Sequence, residues 1–478
     1  MVPRSPKSAG ALPIVEPLPS ALSPEHAFRK LHHLPHCLWL DSALGHPGTG
    51  RFSFLAADPF DYWERATASP HDLRRLAARL AEFTTASVPG LPPFQGGAAG
   101  VLGYELGRAL ETLPRPAYDE FQTPVLALGW YDVVLAWDHA SDSAWIISQG
   151  LPEVEHATRG RRAVARLKAF RQYLAGQAIR PGSEPQLIGK LSADELAPQY
   201  PVPGPVGLTS NFSRAQYLHA VERAIRYVIE GDVFQVNIAQ RLLVPTQCDS
   251  VELHCRLRKR NPAPMAGYFD LGALQVVSAS PERFLKVEDR QVETRPIKGT
   301  RPRTGEAETD RRTEAELLKS EKDRAENVMI VDLLRNDLSR VCEPDSVHVP
   351  QLCELERYPY VAHLVSAVAG RLRETAHAVD LVCAAFPGGS VTGAPKVRAM
   401  EIIAELEPTA RGPYCGSLGY FGLDGSMDLS ILIRTIIAGR GWWQIPVGGG
   451  IVAQSDPQLE YDETWHKAEG MLRAIGQS

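Results

Sequence analysis

Apolar residues in the segment SRAQYLHAVERAIRYVIEGD recur at Leu218, Val221, Ile225 and Val228. Residues three and four apart share one face of an α-helix, so this spacing predicts an amphipathic helix. Ser213 and Gln216 have the spacing of a capping box at its start, and Gly231 suits the left-handed position that ends it. Helical spacing also marks SPEHAFRKL, opened by Ser23 and Pro24, then DLRRLAARLAEFTTA, and RRAVARLKAFRQYLA after Gly160. Runs rich in β-branched and aromatic residues, CLWLDSA, RFSFLAA, VLALGWYDVVLAWD and SAWIIS, predict strands. LQVVSASPERFLKVEDRQVETRPIKGT reads as strand, turn, strand, turn, strand, with Asp289 and Arg290 at a hairpin tip and Lys298 at the end of the last strand.

Strands alternate with helices but hairpins recur, which predicts an α+β architecture with largely antiparallel sheets rather than a doubly wound one. Residues 1–20 read as a loose start. Between about 176 and 210, prolines and glycines are too dense for a long regular element, so this stretch reads as the connection between an N-terminal region, 21–200, and a C-terminal region, 201–478. Hydrophobic residues at 44% and charged residues at 22% are ordinary for a soluble globular enzyme. A net charge of -5 gives no electrostatic case for nucleic acid or an anionic membrane as partner. The 7 cysteines include no C-x-x-C pair, which suits a reducing cytoplasm. The proline-rich N-terminus lacks the apolar core of a signal peptide, and no segment approaches the roughly 18 uninterrupted apolar residues of a membrane helix.

Two acidic pairs are the first candidates for chemistry. SEKDRAENVMIVDLLRND, residues 320–337, reads as a helix opened by Ser320, with Asp323 and Glu326 on one face. QLEYDETWHKAEGML repeats the arrangement with Glu460 and Glu463, and Lys467 lies one turn further on. Carboxylates from two helices suit a hard cation such as Mg2+, although such spacing on its own usually marks an ordinary solvated face. Glu326 precedes the apolar run VMIVDLL, which puts it at the edge of a buried surface where a carboxylate needs a partner.

FPGGSVTGAPKVRAME, residues 386–401, reads as a glycine-rich turn opening a helix, whose free N–H groups suit a carboxylate. Gly388 to Gly393 has the glycine spacing of a phosphate loop, but Ala394 and Pro395 stand where Lys and Ser or Thr are needed, and the preceding DLVCAAF reads as helix. In PVGGGIVAQSDP the three glycines either let backbone approach a ligand closely or form a plain turn. Cys415 in PYCGSLG lacks the G-x-C-x-G elbow of a glutamine amidotransferase, and His348 and His363 lack metal-ligand spacing.

Taken together, GDVFQVNIAQR, NPAPMAGYF, SASPERFL, RPIKGTRPR, DRAENVMIVDLLRNDLSRV, FPGGSVTGAPK, GSLGYF and ETWHKAEGML resemble the chorismate-utilising enzymes. The resemblance runs from about residue 205 onward, with a weaker match through FQGGAAGVLGYELGR in the N-terminal half. It implies an α/β sandwich of large antiparallel sheets. It also implies Mg2+ held by Glu326 and Glu463 with Asp323 and Glu460 in support, and a chorismate pocket lined by His363, Ser390, Tyr414, Arg434, Lys467 and glycines Gly448, Gly449 and Gly450, with Thr300 beside them.

Lys298 and Gln235 separate branches of this family. Anthranilate synthases resemble the segment but read P-I-A-G-T, whereas aminodeoxychorismate synthases read P-I-K-G-T, as here. Water-using members place a lysine at Gln235, and ammonia-using members resemble this chain. The resemblance therefore implies amination of chorismate at ring carbon 4, with Lys298 as nucleophile and Glu282 as general acid, and ammonia delivered by a separate glutamine amidotransferase subunit. Anthranilate formation and a non-catalytic, regulatory chorismate-binding role are the alternatives. LWLDSA, residues 38–43, stands where feedback-inhibited members carry a tryptophan-binding L-E-S segment, from which Asp41 departs.

Overall fold

The computed structural model describes residues 12–45, 48–176, 189–358 and 361–476. The core of the connection, 177–188, and most of the loose start lie outside these residues. Among them are a 13-stranded and a 10-stranded sheet, and every pairing between named strands is antiparallel except where single bridges occur outside them.

Each sheet draws strands from both sides of the connection. Met265–Asp270 pairs with Leu38–Asp41 in the larger sheet, and Ser417–Gly422 pairs with Gly97–Leu102 in the smaller one. The inner faces meet in a core that includes Phe54, Phe94, Phe269, Val276, Leu418 and Tyr420. Helices Pro24–Leu31, Ser250–Arg260 and Pro457–Ile475 cover the outer face of the larger sheet through Phe28, Leu253, Leu257 and Met471. The product is the α+β architecture of antiparallel sheets that the pattern predicted, arranged as the α/β sandwich that the resemblance implied. No helix among the described residues is long and apolar enough to cross a membrane.

Most local readings hold, and the exceptions have physical causes. Ser23 and Ser213 cap helices Pro24–Leu31 and Arg214–Ile229, and Gly231 follows the second with φ 86°. The buried face of the second helix is Tyr217, Ala220, Val221 and Ala224, so Leu218, Ile225 and Val228 are only partly covered. The third predicted helix starts earlier, at His156, because the Glu155 carboxylate accepts the N–H groups of Ala157 and Thr158; Gly160 lies inside it, facing open space. Asp289 and Arg290 do form a hairpin tip, with φ values of 49° and 64°.

Lys298 does not end the strand that follows that tip. The strand stops at Thr294, Arg295 and Pro296 intervene, and a separate strand, Ile297–Pro302, carries Lys298 as its second residue. Proline has no N–H for the ladder, so the strand is interrupted there, although both pieces pair with Val361–Arg371 in one register that shifts only at Gly299. Glycines 448–450 likewise form neither loop nor turn. They lie in the strand Trp442–Ile451, paired with Ala239, Ile238 and Asn237. The glycine-rich turn Gly389–Val391 is followed by a two-residue strand, Gly393–Ala394, and only then by the helix Lys396–Leu406, so the turn does not open that helix directly.

Candidate active site

Three segments converge on Lys298. Glu282 stands in the turn between strands Leu274–Ser280 and Arg283–Glu288, where its N–H donates to Ser280 Oγ at 3.2 Å and its carbonyl accepts from Ile431 N–H at 3.0 Å. Lys298 projects just before a bulge at Gly299, whose φ of 72° suits glycine; a Cβ there would press on Leu317 at 2.8 Å and Asp323 at 3.0 Å. The Gly389–Val391 turn supplies Ser390 between them. Its carbonyl accepts from Lys298 Nζ at 3.2 Å, and its hydroxyl donates to Glu282 Oε1 at 2.6 Å.

Burial tunes both groups toward neutrality. It raises the Glu282 carboxyl to about 7, against the pull of the Ser390 hydroxyl and the Lys298 ammonium. Lys298 as a whole keeps partial exposure, but burial of its ammonium lowers its pKa despite Glu326 and Glu282 nearby. An acid holding its proton beside an amine inclined to lose one is chemically able to serve as proton donor and nucleophile.

The acidic pairs come together at the adjoining end. Helices Glu321–Ser339 and Pro457–Ile475 present Glu326, Glu460 and Glu463 toward a shared cluster of lysines. Lys322 Nζ lies 3.5 Å from Glu460 Oε1 and 4.0 Å from Glu326 Oε1, while Lys467 Nζ lies 2.6 Å from Glu463 Oε1 and donates to Gly448 O at 2.8 Å. Ser455 Oγ donates to Glu460 at 2.6 Å. Burial raises the Glu326 carboxyl; burial also pushes Glu463 upward, but Lys467 beside it brings its pKa below the ordinary value. Asp323 turns instead to Arg301, at 3.4 Å, beneath the Gly299 bulge.

Among the described residues no three His, Cys, Asp or Glu side chains converge as a ready ion site. The donor set nevertheless suits Mg2+: it is all carboxylate oxygen, and the Lys322 ammonium already seats a cation between Glu326 and Glu460. A Cβ on Gly449 would come within 3.2 Å of Glu460 Oε2 and 3.8 Å of Glu463 Oε1, so glycine lets the strand run close beneath the carboxylates. Lys322 has no place in the sequence reading, though its spacing of four from Glu326 was the available signal.

The remaining candidates adjoin these groups. Gln235 is fully buried, and neither atom of its amide has a hydrogen-bond partner among the described residues. A Cβ on Gly450 would collide with that amide. Buried polar groups are normally paired, so this amide is free to meet a polar ligand. Arg434, with φ 52°, donates from Nη1 to Lys467 O at 3.1 Å and neighbours Tyr414 and Glu463. Thr300 Oγ1 and His363 Nδ1 share a hydrogen bond of 2.9 Å, and burial pushes the imidazole down to about 4, with Arg434 adding to the effect. The residues singled out in the sequence thus occupy one connected site, although they come from both sheets and two helices.

Carboxylates, lysines paired with them and a part-buried arginine give this cluster charged groups of both signs, a setting that suits an anionic ligand. Residues 36–473 match the family described as chorismate binding enzyme, and the chain belongs to that family. It is 40% identical to anthranilate synthase component 1 of Streptomyces coelicolor over 461 residues, covering 96% of this chain and 87% of that protein. It is 37% identical to aminodeoxychorismate synthase component 1 of Escherichia coli over 466 residues, covering 94% and 96%. Among solved structures, anthranilate synthase component I from Streptococcus pneumoniae TIGR4 superposes with a TM-score of 0.71 at 31% identity over 90% of this chain and 93% of that one. MenF, the menaquinone-specific isochorismate synthase from Escherichia coli, shares the fold, with a TM-score of 0.69 at 16% identity over 98% and 96%.

Proposed function

We propose that this chain converts chorismate and ammonia to 4-amino-4-deoxychorismate, the precursor of 4-aminobenzoate in folate biosynthesis. The observation that carries the reading is Lys298 in P-I-K-G-T, its ammonium enclosed and joined to Glu282 through Ser390. Neutral Lys298 attacks ring carbon 2, the ring double bonds shift, and the bond from carbon 4 to its hydroxyl breaks. Glu282 gives that hydroxyl its proton and water leaves. Ammonia then adds at carbon 4, the double bonds shift back, the bond from carbon 2 to Lys298 breaks, and the surplus proton on the new amine returns to Glu282. Two displacements explain how the amine arrives on the face that the hydroxyl left.

Arg434, with its planar fork, orients the enolpyruvyl carboxylate, and the Gln235 amide faces the incoming ammonia. Glu326, Glu463, Glu460 and Asp323 are the residues to hold Mg2+, which when bound neutralises the ring carboxylate. A separate glutamine amidotransferase subunit is the proposed ammonia source; component 1 in the names of the relatives is consistent with one. The proposed compartment is the cytoplasm.

Anthranilate formation is the second reading, favoured by the 40% identical relative. Incubating the protein with chorismate, Mg2+ and ammonium decides between them: 4-amino-4-deoxychorismate is expected, and fluorescent anthranilate as the main product would reject the first reading. Lys298→Ala is expected to lower turnover by about 10²-fold or more and to abolish a chorismate-derived adduct seen by intact-protein mass spectrometry. Full activity in that variant without any adduct would reject the nucleophile.

A further inference from the structure

We propose that Arg411 is a positioning residue for this chemistry: its guanidinium, locked by Glu407, fixes the turn whose Ser390 holds both Lys298 and Glu282. The inference rests on the roles proposed above for those two groups.

Arg411 and Glu407 are both buried, at 7% and 5% exposure, directly behind the site. The carboxylate takes the guanidinium in a fork, Nε to Oε2 at 2.9 Å and Nη2 to Oε1 at 2.6 Å. The guanidinium edge left over reaches forward. Nη1 donates to Val391 O at 2.9 Å, one residue beyond Ser390, and Nη2 donates to Asn237 O at 3.1 Å, two residues beyond Gln235. Glu407 Oε1 also accepts Ala239 N–H at 2.8 Å, tying the same strand.

Glu105 fixes the arginine from behind, its carboxylate accepting the N–H groups of Arg411 and Gly412, each at 2.9 Å. The Tyr104 and Tyr414 rings flank the guanidinium, with centroids 4.7 Å and 5.8 Å from its central carbon. One rigid fork therefore joins the Ser390 turn, the strand that carries Gln235 and the loop that carries Tyr414. A lysine offers a point charge in place of a planar fork and has no way to hold Glu407, Val391 and Asn237 together. When Val391 is released, the Ser390 carbonyl and hydroxyl move with it, and a displacement of about 1 Å at such a position lowers turnover by about 10²-fold without loss of substrate binding.

The test compares Arg411→Lys and Glu407→Gln with Arg166→Met, which breaks a part-buried ion pair with Asp132 in the N-terminal half. Steady-state kinetics with chorismate and ammonium are measured beside thermal unfolding, with Lys298→Ala and Glu282→Gln as references. Folded Arg411→Lys is expected to lose about 10- to 100-fold in kcat with KM for chorismate changed less than about threefold, while Arg166→Met loses stability but keeps kcat. An Arg411→Lys kcat within about twofold of the parent, a loss confined to KM, or an equal kcat loss in Arg166→Met overturns the proposal. If neither Arg411→Lys nor Glu407→Gln folds while Arg166→Met does, the pair supports the fold and the positioning role falls. If the two reference variants keep full turnover, the underlying reading fails and the positioning role with it. If they lose turnover and Arg411→Lys does not, only the positioning role fails.

Discussion

Burial acts on Lys298 and Glu282 in opposite directions, because it disfavours whichever form is charged. The ammonium is pushed to release its proton and the carboxyl to keep one. In its proposed role Glu282, at about 7, acts protonated, so kcat/KM is expected to fall as pH rises through about 7 and to fall again at low pH as Lys298 becomes fully protonated. Glu282→Gln should lower turnover by about 10²–10⁴-fold. A profile that stays level from about pH 6 to about pH 9 would show that no such acid operates. The sequence made Lys298 and Glu282 visible through their motifs. It held no sign of Ser390 as the link between them, since that residue is 92 positions from Lys298 and 108 from Glu282.

Glycines 448–450 show how one strand serves two neighbours. On Gly448 a Cβ would meet the Ile238 carbonyl at 2.5 Å, which is backbone and unable to yield, whereas on Gly449 it would point among Glu460, Lys467 and Glu463. Gly449→Ala is therefore expected to leave the fold intact and to weaken Mg2+ binding, read by isothermal titration calorimetry, by about tenfold. Gly448→Ala is expected instead to lower the melting temperature. Removing Mg2+ with a chelator should suppress turnover reversibly, and unchanged turnover after exhaustive chelation would discard the metal role of these helices. The two acidic helices were legible from carboxylate spacing and, for the first, from the capping Ser320. That Lys322 bridges them was not, because the contact depends on how the helices approach each other.

The aromatic cluster under the N-terminal helix carries a further consequence for the folded state. His254 is buried among Phe28, Trp39 and Tyr268, with neither ring nitrogen hydrogen-bonded among the described residues, and burial pushes it down to about 3. In the unfolded chain a histidine takes up its proton near pH ~6.5, so between that value and about 3 the unfolded state binds the extra proton. Stability contributed by the neutral ring is therefore lost as pH falls through this window, by an amount on the order of a few kcal/mol. His254→Phe should flatten that slope, measured as the difference in denaturant unfolding between about pH 7 and about pH 5. An unchanged slope would mean that other groups govern acid sensitivity.

Local order in this chain was written in its residues: capping serines start helices, β-branched runs make strands, Asp289 and Arg290 turn a hairpin, and alternation with hairpins implies antiparallel sheets. Those features depend on neighbours within a few positions, where backbone sterics and side-chain periodicity decide. The placement of Lys298 beside a raised carboxyl, the lysines among the glutamates, and the Arg411 fork behind Ser390 depend on contacts between residues 20 to 138 positions apart. Only packing fixed them, because desolvation and charge pairing act through space, and a group's pKa is set by what surrounds it once water has been excluded.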